Sequence, residues 1–68
     1  MKYMVVLEKA RTNWAAYSPD ALGCIATGRT PEETLRRYEA ALKMHLEGMR
    51  EDGLAVPEPS ARTATVEI

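Results

Sequence analysis

Three side chains in the 68-residue sequence are candidates for catalysis or metal binding: Asp20, Cys24 and His45. Asp20 could belong to a set of carboxylates that binds Mg²⁺, but metal-dependent nucleases need two or more converging acids. No second acid stands at a telling spacing from Asp20. Because Asp readily bonds to nearby backbone in turns, the sequence favours a structural role for Asp20 over a metal site.

Cys24 could act as a nucleophile only with a base beside it that forms the thiolate. The only histidine, His45, is the sole candidate base, and it falls on the apolar stripe of a predicted helix. Cysteines in buried strands behave as small apolar residues. We therefore interpret both side chains as structural and predict no catalytic residue, no cofactor and no metal site, so that the chain is not an enzyme.

Hydrophobic patterning predicts the elements that carry these residues. Short β-branched, apolar and aromatic runs predict strands over 3–8, 14–18 and 23–27. Residues 62–68 alternate, with Ala64, Val66 and Ile68 on one face, which predicts a half-buried fourth strand. The fold class expected is α+β with the order β-β-β-α-β: a three-stranded antiparallel meander plus a fourth strand, with one long helix on one face.

The start of the helix has the clearest local signal. Thr30 and Glu33 are spaced as a capping box, in which each side chain accepts from the other residue's backbone N–H. Pro31 occupies the first helical position, where its missing N–H costs nothing. Gly53 suits a left-handed stop. An apolar stripe at three- and four-residue steps predicts the buried face: Leu35, Tyr38, Leu42, His45, Leu46 and Met49. Three four-residue ion pairs are predicted on the outer surface: Glu32–Arg36, Glu33–Arg37 and Glu39–Lys43.

Length and composition indicate one domain, residues 1–68, that gains stability by self-association. A chain of this size buries only about 60% of its unfolded surface, and a single cysteine excludes an internal disulfide. The net charge of −1 and the lack of a basic tract do not favour nucleic-acid binding. No apolar run reaches the ~20 residues of a membrane span, and Glu8 and Lys9 interrupt the first apolar run too early for a secretory signal. We expect a cytoplasmic protein.

A candidate interface lies on the otherwise charged face of the helix. Met44 falls nearly opposite the apolar stripe, and small residues surround it in the helix: Ala40, Ala41 and Gly48. Two interpretations remain open, a helix-packing patch between copies and an ordinary exposed apolar residue.

Residues 14–33, WAAYSPDALGCIATGRTPEE, resemble the N-terminal domain of HicB-type antitoxins. That family has an aromatic strand, then Pro-Asp-x-x-Gly-Cys, then Thr/Ala-x-Gly-x-Thr/Ser-x-x-Glu entering a helix. The segment LEGMREDGLAVPEPS, residues 46–60, is also similar to the family's helix end and Pro-x-Pro-Ser loop. The matching motif positions are Tyr17, Pro19, Asp20, Gly23, Cys24, Thr27, Gly28, Thr30 and Glu33.

The resemblance implies a partial ribonuclease-H-like unit without catalytic carboxylates. It also implies a function: HicB proteins bind and cover HicA, a small ribonuclease toxin, and they commonly form dimers or tetramers. The chain departs from many relatives because it ends at Ile68, without room for a C-terminal DNA-binding domain, so we expect a stand-alone member without direct operator binding. Two alternatives stay open: an oligomeric regulatory or structural domain without a toxin, and a degenerate ribonuclease-H-like enzyme that processes nucleic acid.

Overall fold

Three short strands followed by one long helix make up the computed structural model, which describes all 68 residues. The α+β class and the order of the first four elements are as predicted. The elements are β1 (Val6–Lys9), β2 (Trp14–Tyr17), β3 (Ile25–Gly28) and α1 (Pro31–Glu51).

The strands form an antiparallel meander in the order β1-β2-β3. The register aligns Leu7, Ala16 and Ala26 in one cross-strand row, and this row faces the helix and packs on its buried side chains. Because side chains alternate along a strand, the neighbouring row of Val6, Tyr17 and Ile25 lies on the opposite face. One helix covers one face of this sheet, and the other face is open.

The helix begins as its sequence predicts, with one difference in the cap. The Thr30 Oγ1 accepts a hydrogen bond from the Glu33 backbone N–H at 3.1 Å. The Glu33 carboxylate accepts from the Arg29 backbone N–H at 3.3 Å, so the prediction that it reaches back to Thr30 is wrong by one residue. The other oxygen of this carboxylate pairs with the Arg37 guanidinium at 2.6 Å.

Two of the three predicted ion pairs form, Glu33–Arg37 and Glu39–Lys43. The helix ends at Glu51, and Gly53 forms the expected left-handed stop after it, with a φ of 73°. The Gly53 N–H donates to the Arg50 carbonyl and the Leu54 N–H to the Met49 carbonyl, which is the Schellman pattern of a helix stop.

The core is small, because only nine of the 68 residues are buried. Tyr38, Leu42 and Leu46 supply its large side chains. Leu35 was predicted to belong to the same buried stripe, but its side chain remains 43% exposed. The helix packs mainly on β3 and β2 and touches β1 least, so its flank over β1, where Leu35 lies, stays open.

The predicted fourth strand over 62–68 is not formed. Residues 54–68 contain no regular element. After the helix, the chain first passes near the start of β1, where the Tyr3 hydroxyl donates to the Pro57 carbonyl. It then passes the end of β2, where Asp20 accepts from the Ser60 hydroxyl. The backbone therefore leaves the β1 edge before residue 62, and no strand of its own chain lies beside it. The ribonuclease-H-like topology depends on that strand and stays a prediction. The single helix lacks the combination of length and apolar character that crossing a membrane requires.

Candidate functional site

Asp20 acts as a clasp between the β2–β3 connection and the segment that follows the helix. Its Oδ2 accepts from the backbone N–H groups of Ser60 and Ala61 at 3.0 and 2.9 Å, and its Oδ1 accepts from the Ser60 hydroxyl at 3.1 Å. The Ala61 N–H is the main cause that holds the pKa of the Asp20 carboxyl below its ordinary value; desolvation opposes it, and the two Ser60 donors lower the pKa further. Both oxygens of this carboxylate are engaged in holding the chain together.

The turn around Asp20 also has the local structure that its sequence predicts. The Ala21 N–H donates to the Ser18 carbonyl at 3.2 Å, and the Asp20 N–H donates to the Ser18 hydroxyl at the same distance. Gly23 has a φ of 88°, a conformation that residues with a side chain rarely adopt. Pro19 lies within this turn, on the surface. These motif residues set the backbone path between β2 and β3.

Gly28 allows the end of β3 to approach the first turn of the helix. A Cβ at Gly28 would lie 2.6 Å from the Thr34 Oγ1 and 3.0 Å from the Thr34 backbone nitrogen. Thr34 is fully buried, and its hydroxyl donates to the Thr30 carbonyl at 2.7 Å. In β3 itself, the Thr27 carbonyl accepts from the Arg37 guanidinium at 3.1 Å. The glycine is therefore required by packing.

Cys24 lies in the core beside Tyr38 and is a free thiol. Burial, followed by the proximity of Cys24, raises the pKa of the Tyr38 hydroxyl. This hydroxyl has no partner at hydrogen-bonding geometry, although the Ser18 backbone amide is close enough to offset part of the effect on the pKa. His45 is half-buried on the helix. No three side chains of His, Cys, Asp or Glu converge in a geometry that could hold a metal ion.

The open face of the sheet carries exposed apolar side chains. Ile25 is 65% exposed and Tyr17 36%, and Val6 completes their cross-strand row. Leu22, in the connection before β3, is 82% exposed. Glu8 lies beside Tyr17 and raises the pKa of its hydroxyl, mainly through a side-chain hydrogen bond. We call Val6, Tyr17, Leu22 and Ile25 the outer sheet surface.

The candidate interface on the helix is partly accessible. Met44 is 74% exposed, and Ala40 is exposed beside it, whereas Ala41 and Gly48 are half-buried at its inner margin. We call these four residues the Met44 surface.

Sequence reasoning missed both the outer sheet surface and the long-range partner of Asp20. The alternation in β2 and β3 contained a signal for the first, since Tyr17 and Ile25 fall on the face opposite Ala16 and Ala26. Nothing local connects Asp20 with Ser60, which lies 40 residues further along the chain.

Comparison of this chain with known proteins identifies its family. The profile of the family described as "HicB_like antitoxin of bacterial toxin-antitoxin system" matches residues 3–67. An uncharacterised 14.9 kDa protein from the rep-hol intergenic region of Haemophilus phage HP1 is 33% identical over 58 residues, which cover 85% of this chain and 44% of the phage protein. A UPF0150 protein of Helicobacter pylori is 34% identical over 50 residues, covering 74% of this chain and 69% of that protein.

The chain thus spans less than half the length of the phage relative. No solved structure matches it. The family profile covers all three strands, the helix and the Asp20 clasp with its partners at Ser60 and Ala61. The chain belongs to the family of HicB-like antitoxins of bacterial toxin–antitoxin systems.

Proposed function

We propose that this chain is a non-enzymatic antitoxin module that neutralises a small, basic HicA-type ribonuclease by covering it. The module acts in the cytoplasm as a homodimer or homotetramer. Membership of the antitoxin family supports the proposal. The structural observation that supports the proposal is the outer sheet surface, because it offers apolar side chains to a partner on the face of the sheet that the helix does not cover.

The acids of the motif support a binding role. Asp20 has both oxygens committed to Ser60 and Ala61, and Glu33 is paired with Arg37. Glu8, on the open face beside Tyr17, places a carboxylate at the border of an apolar row. An apolar centre with a charged rim is typical of protein interfaces, and the sign of this charge suits a basic partner.

We expect a gene for a small basic protein beside the gene of this chain, and the proposal is tested by co-expressing the two proteins and purifying through a tag on the small basic one. We expect the two proteins to purify together. Ile25→Glu should weaken the complex by at least roughly tenfold, since a charge buried at an interface without a partner costs more than 1.4 kcal/mol. The affinity is measured by isothermal titration calorimetry.

Leu54→Glu is the matched control. Leu54 is 57% exposed and follows the helix, away from the outer sheet surface, so this variant should bind as the wild type does. Failure of the wild-type chain to bind its neighbour would reject the antitoxin role. Equal affinities of the Ile25→Glu and wild-type chains would reject the outer sheet surface as the contact.

A further inference from the structure

An apolar groove lies between the helix and the segment that leads into β1, the strand at one edge of the sheet. One flank of the helix and the segment that leads into β1 enclose a volume of about 370 Å³. The helix lines it with Leu35, Leu42 and Leu46, and the N-terminal segment with Tyr3 and Val5. Because the strand order is β1-β2-β3, the outward N–H and C=O groups of β1 have no neighbouring strand. The apolar groove therefore lies next to the segment that leads into this unpaired strand edge.

Residues 62–68 have the complementary properties. They form no backbone hydrogen bond with the rest of the chain. Val66 is 81% exposed and Ile68 is exposed completely, although alternation places both on one face with Ala64. An extended segment with an apolar face and free backbone groups adds readily to an open sheet edge.

The path of the backbone directs this segment away from its own groove. Contacts of Pro57 with Tyr3 and of Ser60 with Asp20 carry the chain from the start of β1 to the β2–β3 connection. The molecule extends 42 Å along its longest axis, and its Cα radius of gyration is 13.1 Å, compared with about 11 Å for a compact domain of this length. Residues 62–68 are exposed throughout and thus within reach of another molecule.

We propose that residues 62–68 of one copy complete the sheet of a second copy as its fourth strand. The segment lies along the β1 edge, with Ala64, Val66 and Ile68 in the groove, and the second copy returns the same contact. This two-fold exchange supplies the strand that the single chain lacks, and it enlarges a core of only nine buried residues. The inference deepens the homo-oligomeric state within the proposed function and rests on it.

Charge at the groove is compatible with this occupant. Glu39 and Lys43 line the rim, and the segment 62–68 carries one residue of each sign, Arg62 and Glu67. The apolar side chains of the segment meet the apolar floor. Alternation places Glu67 on the solvent-facing side, whereas Arg62 shares the face of Ala64 and stands at the first position of the segment.

The experiment measures self-association of the purified full chain by analytical ultracentrifugation, with no toxin present, so that its outcome is independent of toxin binding. We expect the wild type to form dimers or tetramers at micromolar concentration. Val66→Glu should raise the concentration at which the assembly dissociates by roughly tenfold or more, because a carboxylate would enter an apolar groove. Thr65→Glu is the matched control: it places the same charge one residue away on the other face and should have little effect.

A complementation test identifies the groove as the receiving surface. Leu35→Glu blocks the groove but leaves the segment intact, whereas Val66→Glu changes the segment but leaves the groove intact. Each variant alone should dissociate, and a mixture of the two should form heterodimers, each held by one intact segment in one intact groove. Circular dichroism confirms that both variants stay folded; Val66 makes no contact with its own core, so its variant keeps the fold even if Leu35→Glu does not.

A monomeric wild type would overturn the proposal, and so would a Val66→Glu variant that associates as tightly as Thr65→Glu. If Leu35→Glu associates like the wild type, or if the mixture of folded variants stays monomeric, the groove does not receive the segment and the proposal is likewise overturned.

Discussion

Asp20 holds Ser60 through both the backbone N–H and the hydroxyl of that residue, at 3.0 and 3.1 Å, across 40 positions of sequence. The link fixes where the segment after the helix leaves the domain. It gives the Pro-Asp motif a structural function, since an acid that resembles a metal ligand in the sequence acts as an acceptor for backbone and hydroxyl donors.

Replacing Asp20 should release this segment without unfolding the helix. In Asp20→Asn the side chain has one carbonyl oxygen and no charge, so it cannot satisfy all three donors of Ser60 and Ala61. We expect the amides of Ser60 and Ala61 to lose most of their protection from hydrogen exchange, while those of Leu42 and Leu46 keep theirs. Nuclear magnetic resonance follows both sets, and unchanged protection at Ser60 would contradict the clasp.

The clasp should also open in acid. Its donors lower the pKa of Asp20 in the folded chain, so the ionised form is favoured by folding. The stabilisation is complete above the ordinary pKa of about 4 and is lost as the pH falls through the lower folded value. The amide signals of Ser60 and Ala61 should titrate below pH ~4 in the wild type, and this titration should be missing from Asp20→Asn.

Two glycines should respond in opposite ways to alanine. Gly28→Ala places a Cβ 2.6 Å from Thr34 Oγ1, and overpacking of this kind costs about 1–3 kcal/mol. A Cβ at Gly48 meets nothing within 4 Å, so Gly48→Ala should stabilise the helix by roughly 0.5–1 kcal/mol. Chemical denaturation measures both free energies of unfolding. If Gly28→Ala is as stable as the wild type, the close approach of β3 to the helix does not exist in solution.

The hydroxyl of Tyr38 should contribute little to stability. It is buried without a hydrogen-bond partner, and an unsatisfied buried group costs about 1–3 kcal/mol. Tyr38→Phe removes the group and keeps the ring, so the free energy of unfolding should stay the same or rise by about 1 kcal/mol. Tyr38→Ala, the control that removes the ring, should cost about 3–5 kcal/mol. A large loss in Tyr38→Phe would show that the hydroxyl is bonded.

The Met44 surface is a second proposed contact between copies. Met44 is 74% exposed on a face that is otherwise charged, and the small side chain of Ala40 beside it leaves room for a helix to approach. Met44→Glu should lower the mass of the assembly in solution, as tetramers separate into dimers joined by residues 62–68. Light scattering on the eluting protein measures this mass, and no change would remove the Met44 surface from the account.

Local signals in the sequence were sufficient for the meander, the helix cap and the helix stop, because short-range geometry determines each of them. Thr30, Pro31 and Gly53 act through neighbours within four residues, and the structure confirms their positions. The alternation of 62–68 was a weaker guide. It reveals an apolar face but does not show which strand the segment would pair with, and in the single chain it pairs with no strand.

Side-chain partners distant in sequence were beyond prediction. Periodicity placed Leu35 in the buried stripe, but burial depends on what covers the helix, and the flank over β1 is uncovered. The bond from Asp20 to Ser60 depends on the route of the whole chain after the helix. The outer sheet surface follows from the register of β2 and β3, which the strand patterns indicated only by alternation.

The central claim is that this chain acts by covering a ribonuclease, and titration of the toxin's RNA cleavage with the chain tests it most directly. We predict that cleavage falls linearly with added chain and stops at a fixed ratio of the two proteins, that Ile25→Glu weakens the inhibition, and that the chain alone leaves the RNA intact. Cleavage that persists at excess antitoxin, or RNA degradation by the chain itself, would contradict the account.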